Sequence, residues 1–110
     1  MHSELIRGVA EPIILALVSE RPMYGYEIIK VVNERTNGAF DWKEGTLYPC
    51  LHRLEGDGLI ASQWRTAETG KDRKYYALTR KGARALQERT AEWTQFATNV
   101  SVLLAAPVPV

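Results

Sequence analysis

The stretch EGTLYPCLHRLEGDGLI, residues 44–60, decides how the rest of the chain is interpreted. Leu47, Leu51 and Leu54 are spaced by four and three residues, which places them on one face of a helix, and the Gly-Asp-Gly that follows can end it. Pro49 is tolerated only in the first helical turn, where backbone N–H groups have no intrahelical partner. We therefore expect a short amphipathic helix that starts between residues 44 and 46.

Length and composition limit the class of protein. The chain has 110 residues, of which 45% are hydrophobic and 25% charged, as in one small domain that can need a second subunit to complete its burial. With one cysteine and two histidines, we expect no disulfide, no zinc site and no cofactor. The sequence shows no signal peptide and no apolar run of the roughly 20 residues that cross a membrane, so we expect a cytoplasmic protein.

Positive charge is concentrated in one segment. Residues 65–84 contain seven basic and two acidic side chains, a net charge of +5, although the whole chain carries only +1. Such a run is either a solvated face or a surface that binds phosphates, and the charge alone leaves both interpretations open.

Apolar spacing predicts two helices before the quoted one. The first covers residues 5–18, where Pro12 should produce a kink or separate an N-terminal turn from a helix that starts near Glu11. The second runs from about Gly25 to Arg35 and is closed by an Asn-Gly pair. The three helices should share a core that contains Ile14, Leu17, Ile28, Ile29, Val32, Leu47, Leu51 and Leu54.

After the third helix the pattern changes to that of strands. Residues 59–64 and 73–78 are short, rich in β-branched or aromatic residues, and joined by a polar loop with Gly70. They predict a two-stranded hairpin, in which Trp64 and Tyr76 should belong to the core and pin the hairpin to the helices.

Three helices followed by a hairpin form the winged helix-turn-helix pattern, in which the third helix enters a DNA major groove. We therefore predict a mainly α fold with a small β-hairpin. Residues 1–78 should form the winged helix-turn-helix domain, with residues 59–78 as its wing. A long helix over residues 79–106, with Thr79 as N-cap, should serve for dimerisation, and residues 107–110 should be a frayed tail.

The long C-terminal helix carries a heptad seam. Small and apolar residues recur in it at spacings of three and four, at Ala83, Leu86, Thr90, Trp93, Ala97, Val100 and Leu104. A seam on a helix that follows a complete small domain predicts pairing with its own copy in a homodimer. The expected dimer interface consists of Leu86, Trp93, Val100 and Leu104.

Three stretches resemble successive signature stretches of the PadR family of bacterial transcriptional regulators. They are YGYEI (24–28), GTLYPCLHRLEGDGLI (45–60) and RKYYALTRKG (73–82). The single terminal helix resembles the small branch of that family. The resemblance implies a homodimeric repressor that leaves its operator when a small aromatic or apolar effector arrives. Asp72 within the wing, and Ala77 where the family commonly has Arg or Lys, depart from the pattern and lower the positive potential expected there.

The expected contacts to double-stranded DNA lie in the third helix and the wing. They are Lys43, Thr46, Tyr48, Pro49, His52, Arg53, Arg65, Lys71, Arg73 and Lys74. A dimer should bring two copies of this surface to an inverted-repeat operator.

Several of these residues have a second interpretation. Tyr48 contacts a phosphate or covers the edge of the core, and Thr46 contacts a phosphate, caps its helix, or does both. His52 and Arg53 lie where side chains reach base edges. Arg53 can instead form a surface ion pair with an acidic residue that follows it, namely Glu55 or Asp57.

Trp93 is a large side chain between small seam residues, so two copies that meet across a twofold axis should leave a gap. Trp93 then either packs in the seam alone or forms a flat apolar pocket for a planar aromatic effector. We predict the second, with walls formed by Leu5, Val9, Trp93, Phe96 and Ala97. Cys50 is expected to be a small buried apolar group rather than a redox sensor.

The alternative function is a winged-helix module that binds protein rather than DNA and senses no ligand. An enzyme is not expected, because the sequence has no Gly-rich phosphate loop, no nucleophile elbow and no paired His–carboxylate arrangement.

Overall fold

The computed structural model describes residues 3–105, and the predicted tail, with the last residue of the predicted C-terminal helix, lies outside them. Within that range the chain forms four helices and three strands. They are α1 (Ser3–Glu20), β1 (Met23–Tyr24), α2 (Gly25–Arg35), α3 (Glu44–Gly56), β2 (Ile60–Thr66), β3 (Asp72–Leu78) and α4 (Arg80–Leu104). This order confirms the mainly α fold and the winged helix-turn-helix arrangement predicted from the sequence.

Two helices contain a proline. α1 continues through Pro12, so the predicted separate N-terminal turn is wrong, and α3 begins at Glu44 as expected but carries Pro49 in its second turn rather than its first. A proline ring within a helix crowds the carbonyl group four residues earlier. In both helices that residue is glycine, Gly8 and Gly45, whose backbone can turn the carbonyl aside at little cost.

The core lies between α1, α2, α3 and the inner face of the sheet. Seven of the eight predicted core residues are buried, and Ile29 packs partly against them. Trp42, in the loop before α3, is also buried, and its backbone N–H and carbonyl both bond to the side chain of Asn33, at 2.7 and 3.1 Å. These two bonds fix the loop that leads into α3.

The three strands form one antiparallel sheet in the order β1-β3-β2. β1 pairs with β3 through Met23 opposite Tyr76 and Tyr24 opposite Tyr75, and β2 pairs with the full length of β3. The sequence did not predict β1, because two residues are too few to show a period.

The hairpin reaches beyond the helices. Tyr76 is buried as predicted, but Trp64 is 66% exposed, so its assignment to the core is wrong. Trp64 lies on the same face of the sheet as Ser62, which bonds to Glu55 of α3, but two residues nearer the hairpin tip. The helices cover the base of the hairpin and leave its outer part in solvent.

The start of α4 is tied to the end of α3. Thr79 caps α4 as predicted, since its hydroxyl accepts the N–H of Gly82 at 3.0 Å and donates to the carbonyl of Gly58 at 2.7 Å. Gly82 is buried, and a Cβ at this position would collide with the backbone carbonyl of Leu59. The long helix is therefore attached rigidly to the winged helix.

Candidate nucleic-acid interface and the groove behind it

α3 buries one face and exposes the other. Leu47, Cys50, Leu51 and Leu54 are buried, whereas the opposite face, with Gly45, Tyr48, Pro49 and His52, is exposed. A DNA major groove about 12 Å wide admits one helix. Tyr48, Pro49 and His52, which are predicted to contact DNA, therefore lie on a helix face that can enter a major groove.

The beginning of α3 has no side-chain cap among the described residues. Its N-cap is Lys43, and Thr46 is the third helical residue, so the interpretation of Thr46 as the cap is wrong. Lys43 lies 3.8 Å from Asp41, and because both side chains are well exposed this ion pair is weak. The first turn of α3 thus has no side-chain cap, but Glu44 lies within it and Asp41 lies beside Lys43, so the side chains at this end of the helix carry no net positive charge.

Tyr48 lies across the start of α2. A Cβ on Gly25 would come within 2.5 Å of the Tyr48 hydroxyl oxygen, so the close approach requires glycine there. The side chain nevertheless remains 44% exposed. Tyr48 therefore covers the edge of the core, and its partial exposure also leaves it available to a phosphate.

Arg53 turns towards α1 rather than along α3. Its Nε lies 3.7 Å from a carboxylate oxygen of Glu11, and its guanidinium donates to the sulfur of Cys50 at 3.1 Å. The predicted ion-pair partners, Glu55 and Asp57, are wrong, because the acidic partner is Glu11 of α1. The same Glu11 carboxylate accepts a hydrogen bond from Arg89 of α4 at 2.8 Å. Glu11 thus joins α1 to both α3 and α4.

Cys50 is buried, as predicted. Burial raises the pKa of its thiol, and the nearby Arg53 guanidinium opposes this shift only partly. A thiol that stays protonated at neutral pH is a poor nucleophile, which agrees with a packing role.

The four predicted basic residues of the wing divide between its two faces and its tip. Lys71 is exposed at the tip, and Lys74 lies on the inner face, 3.7 Å from Glu55 of α3. Arg65 and Arg73 lie opposite each other on the outer face. Asp72 accepts a hydrogen bond from Thr66 at 2.8 Å on the inner face, so the strand alternation separates it from both arginines.

All five predicted effector residues line one open groove between α1 and α4. Its volume is about 1220 Å³, and Leu5 and Val9 form one wall while Trp93, Phe96 and Ala97 form the other. Leu5 and Phe96 are each 65% exposed, which is unusual for large apolar side chains. At its polar end the groove is lined by Glu11, Arg53 and Arg89.

The four predicted dimer residues do not share one environment. Leu86 packs partly against the core of its own chain. Trp93 and Val100 line the groove, and Leu104 is exposed near the end of α4 together with Val102 and Leu103. The last three turns of α4 therefore present an apolar surface that this chain alone leaves uncovered.

Sequence reasoning missed the residues whose partners are remote. Glu11 and Arg89 are 78 positions apart, and no local pattern links them. Within residues 3–105 no cluster of His, Cys, Asp and Glu could hold a metal ion, and no helix there is long and apolar enough to cross a membrane.

Comparison with known proteins identifies the family. The family described as "Transcriptional regulator PadR-like family" matches residues 14–88. A transcriptional regulator from Clostridium thermocellum superposes with a TM-score of 0.83 at 35% identity, covering 96% of this chain and 99% of that one. A PadR-like transcriptional regulator from Bacillus cereus gives 0.82 at 34% identity, covering 96% and 100%.

A longer relative matches this chain over only a part of its own length. Transcriptional regulator YqjI from Escherichia coli is 38% identical over 81 residues, which are 74% of this chain and 37% of that protein. The two superposed structures, which cover 96% of this chain, are both of transcriptional regulators. The chain belongs to the PadR-like family of DNA-binding transcriptional regulators.

Proposed function

We propose that the protein is a homodimeric repressor that binds an inverted-repeat operator and releases it when a planar aromatic or apolar effector enters the groove between α1 and α4. The observation that carries the proposal is the position of Glu11. This one carboxylate contacts Arg53 on α3 and Arg89 on α4, and all three side chains line the groove. A ligand in the groove would therefore meet the residues that connect it to the DNA-reading helix.

In this proposal α3 reads the major groove, and the wing binds the backbone. Tyr48, Pro49 and His52 form the centre of the exposed face of α3, with Lys43 and Thr46 at its front. Arg53 can reach a base edge only by leaving Glu11. The contacts assigned to backbone phosphates in the wing are Arg65, Lys71, Arg73 and Lys74.

DNA binding through the wing is tested by its dependence on salt. Removing one phosphate contact should flatten the plot of log affinity against log salt by about 0.9, hence by about 1.8 for a dimer with both wings engaged. Lys71→Gln should show this change, on every DNA sequence alike. Arg84→Gln, which removes an equal charge from the exposed surface of α4, is the matched control and should leave the slope unchanged.

Two results would oppose the proposal. Equal slopes for Lys71→Gln and the parent would show that the tip of the wing does not contact the DNA phosphates. Affinity that does not depend on salt for any variant would instead favour the module that binds protein and not DNA.

Effector release requires a ligand that prefers the form unable to bind DNA. A 100-fold decrease in DNA affinity needs about 2.7 kcal/mol of such preference. The rigid junction at Gly82 supports this coupling, because a pivot of α4 against its copy would move α3 as well. The spacing of the two α3 helices would then no longer match a fixed inverted repeat.

The effector site is tested by titrating planar aromatic cations and phenolic acids while following tryptophan fluorescence. Trp93→Ala should abolish both the quenching and the release of labelled operator DNA. Trp64→Phe is the matched control, since this exposed indole also emits but lies in the wing. Quenching with unchanged affinity in Trp93→Ala would locate the ligand elsewhere and leave Trp93 as interface packing.

A further inference from the structure

Four side chains cluster on the outer face of the sheet. The rings of Tyr24 and Tyr75 meet edge to face, with centroids 5.4 Å apart. The guanidinium of Arg73 lies over the Tyr24 ring at 4.3 Å from its centroid, and that of Arg65 lies over the Tyr75 ring at 5.0 Å. Both rings are partly exposed, so the cluster is at the surface.

β1 is what brings this cluster together. Its pairing puts Tyr24 directly opposite Tyr75, and the pairing of β2 puts Arg65 directly opposite Arg73. Residues opposite each other in neighbouring strands share one face of a sheet. The two-residue strand thus supplies the ring over which the Arg73 guanidinium lies.

Stacking leaves the hydrogen-bonding edge of a guanidinium free. An arginine binds a phosphate through N–H groups in the plane of the guanidinium, whereas a ring contacts its flat side. An arginine that is already held in one arrangement loses less conformational entropy when it binds. The rings themselves are partly covered by the guanidinium groups, so the face fits a phosphate backbone better than an unpaired base.

We infer that Tyr24 and Tyr75 are positioning residues for DNA binding, whose rings hold Arg73 and Arg65 ready to bind backbone phosphates. The inference rests on the proposed DNA binding through the wing. It distinguishes the two arginines from Lys71, which is exposed at the tip and has no ring beneath it within residues 3–105.

The test compares Tyr24→Leu, Tyr24→Phe and Arg73→Gln on two labelled duplexes, one from upstream of the protein's own gene and one of random sequence. Tyr24→Leu should weaken binding to both duplexes about two- to fivefold for each wing engaged, with the salt slope unchanged because no charge is removed. Tyr24→Phe keeps the ring and should bind like the parent. Arg73→Gln should flatten the slope by about 0.9 for each wing engaged.

A double variant separates positioning from a general effect on folding. In the Arg73→Gln background, Tyr24→Leu should cause no further decrease in affinity, because the ring then has no guanidinium to hold. An undiminished decrease there would overturn the inference. If Tyr24→Leu does not fold, Arg73→Lys serves instead, since it keeps the charge but not the stacked guanidinium; parental affinity for Arg73→Lys would overturn the inference.

The inference and the proposed function can fail separately. If Arg65→Gln and Arg73→Gln bind both duplexes like the parent while Lys71→Gln binds more weakly, the inference is wrong and DNA binding through the wing stands. If all three variants match the parent at every salt concentration, DNA binding through the wing is wrong as well.

Discussion

The winged helix and the part of α4 beside the groove differ in how completely one chain buries their apolar side chains. Around α3, the side chains of Leu47, Leu51 and Leu54 are buried against α1, α2 and the sheet. Along α4, Phe96 and Leu103 are exposed to 65% and 82%. The first region is completed by intramolecular contacts, whereas the second exposes apolar side chains that this chain does not cover.

The largest effect is expected at the junction between the two regions. Gly82→Ala places a Cβ against the backbone carbonyl of Leu59, and because a carbonyl cannot swing aside as a side chain can, α4 must shift. We expect a decrease of about 3 kcal/mol in the free energy of unfolding, measured by urea denaturation.

Gly56→Ala provides the matched control for that measurement. Gly56 ends α3, and a Cβ there would meet nothing within 4 Å, so the substitution should be neutral or slightly stabilising. If Gly82→Ala unfolds at the parental urea concentration, the junction is not the rigid connection that the proposed effector release requires.

The comparison also explains which features could be predicted. Helices, hairpin strands and the cap at Thr79 leave local patterns, and these predictions were confirmed to within a few residues. Trp64 has the alternation of an inner-face residue, but how far the helices reach beneath the hairpin depends on tertiary packing. The partner of Arg53 is Glu11, 42 positions away, and such a pair leaves no signal in one sequence.

In the candidate site too, residues within one local pattern could be predicted, and residues brought together by contacts between elements could not. The five residues named from the sequence line one groove, because Trp93 and Ala97 follow the seam of α4 and Leu5 and Val9 lie on the apolar face of α1, while their role in binding an effector stays a prediction. The polar end of the groove and the rings of Tyr24 and Tyr75 were missed, because they depend on contacts between separate elements.

A smaller effect is expected for a substitution in the apolar seam of α4, which this chain alone does not cover. Val100 lies on the seam of α4 and lines the groove, so Val100→Glu would place an unpaired charge in the proposed dimer interface. We expect a cost of about 2–3 kcal/mol and a shift from dimer to monomer in sedimentation velocity. Asn99→Glu, on the neighbouring exposed position, should remain dimeric. A parent that is monomeric at micromolar concentration would contradict the proposed homodimer itself.

The smallest effect concerns the carboxylate that joins the two regions. Glu11→Gln breaks the pairs with Arg53 and Arg89, and because all three side chains are about one third or more exposed, each pair contributes at most about 1 kcal/mol to stability. The freed Arg53 should strengthen DNA binding about two- to fivefold at low salt, an advantage that screening removes as salt increases. Glu92→Gln, in the wall of the same groove, makes the same charge change and should bind DNA like the parent.

In an Arg53→Gln background the gain in DNA affinity from Glu11→Gln should disappear. A gain that persists there would mean that Glu11 weakens DNA binding through the charge of the whole molecule, and Arg53 would then have no part in communication between the groove and α3.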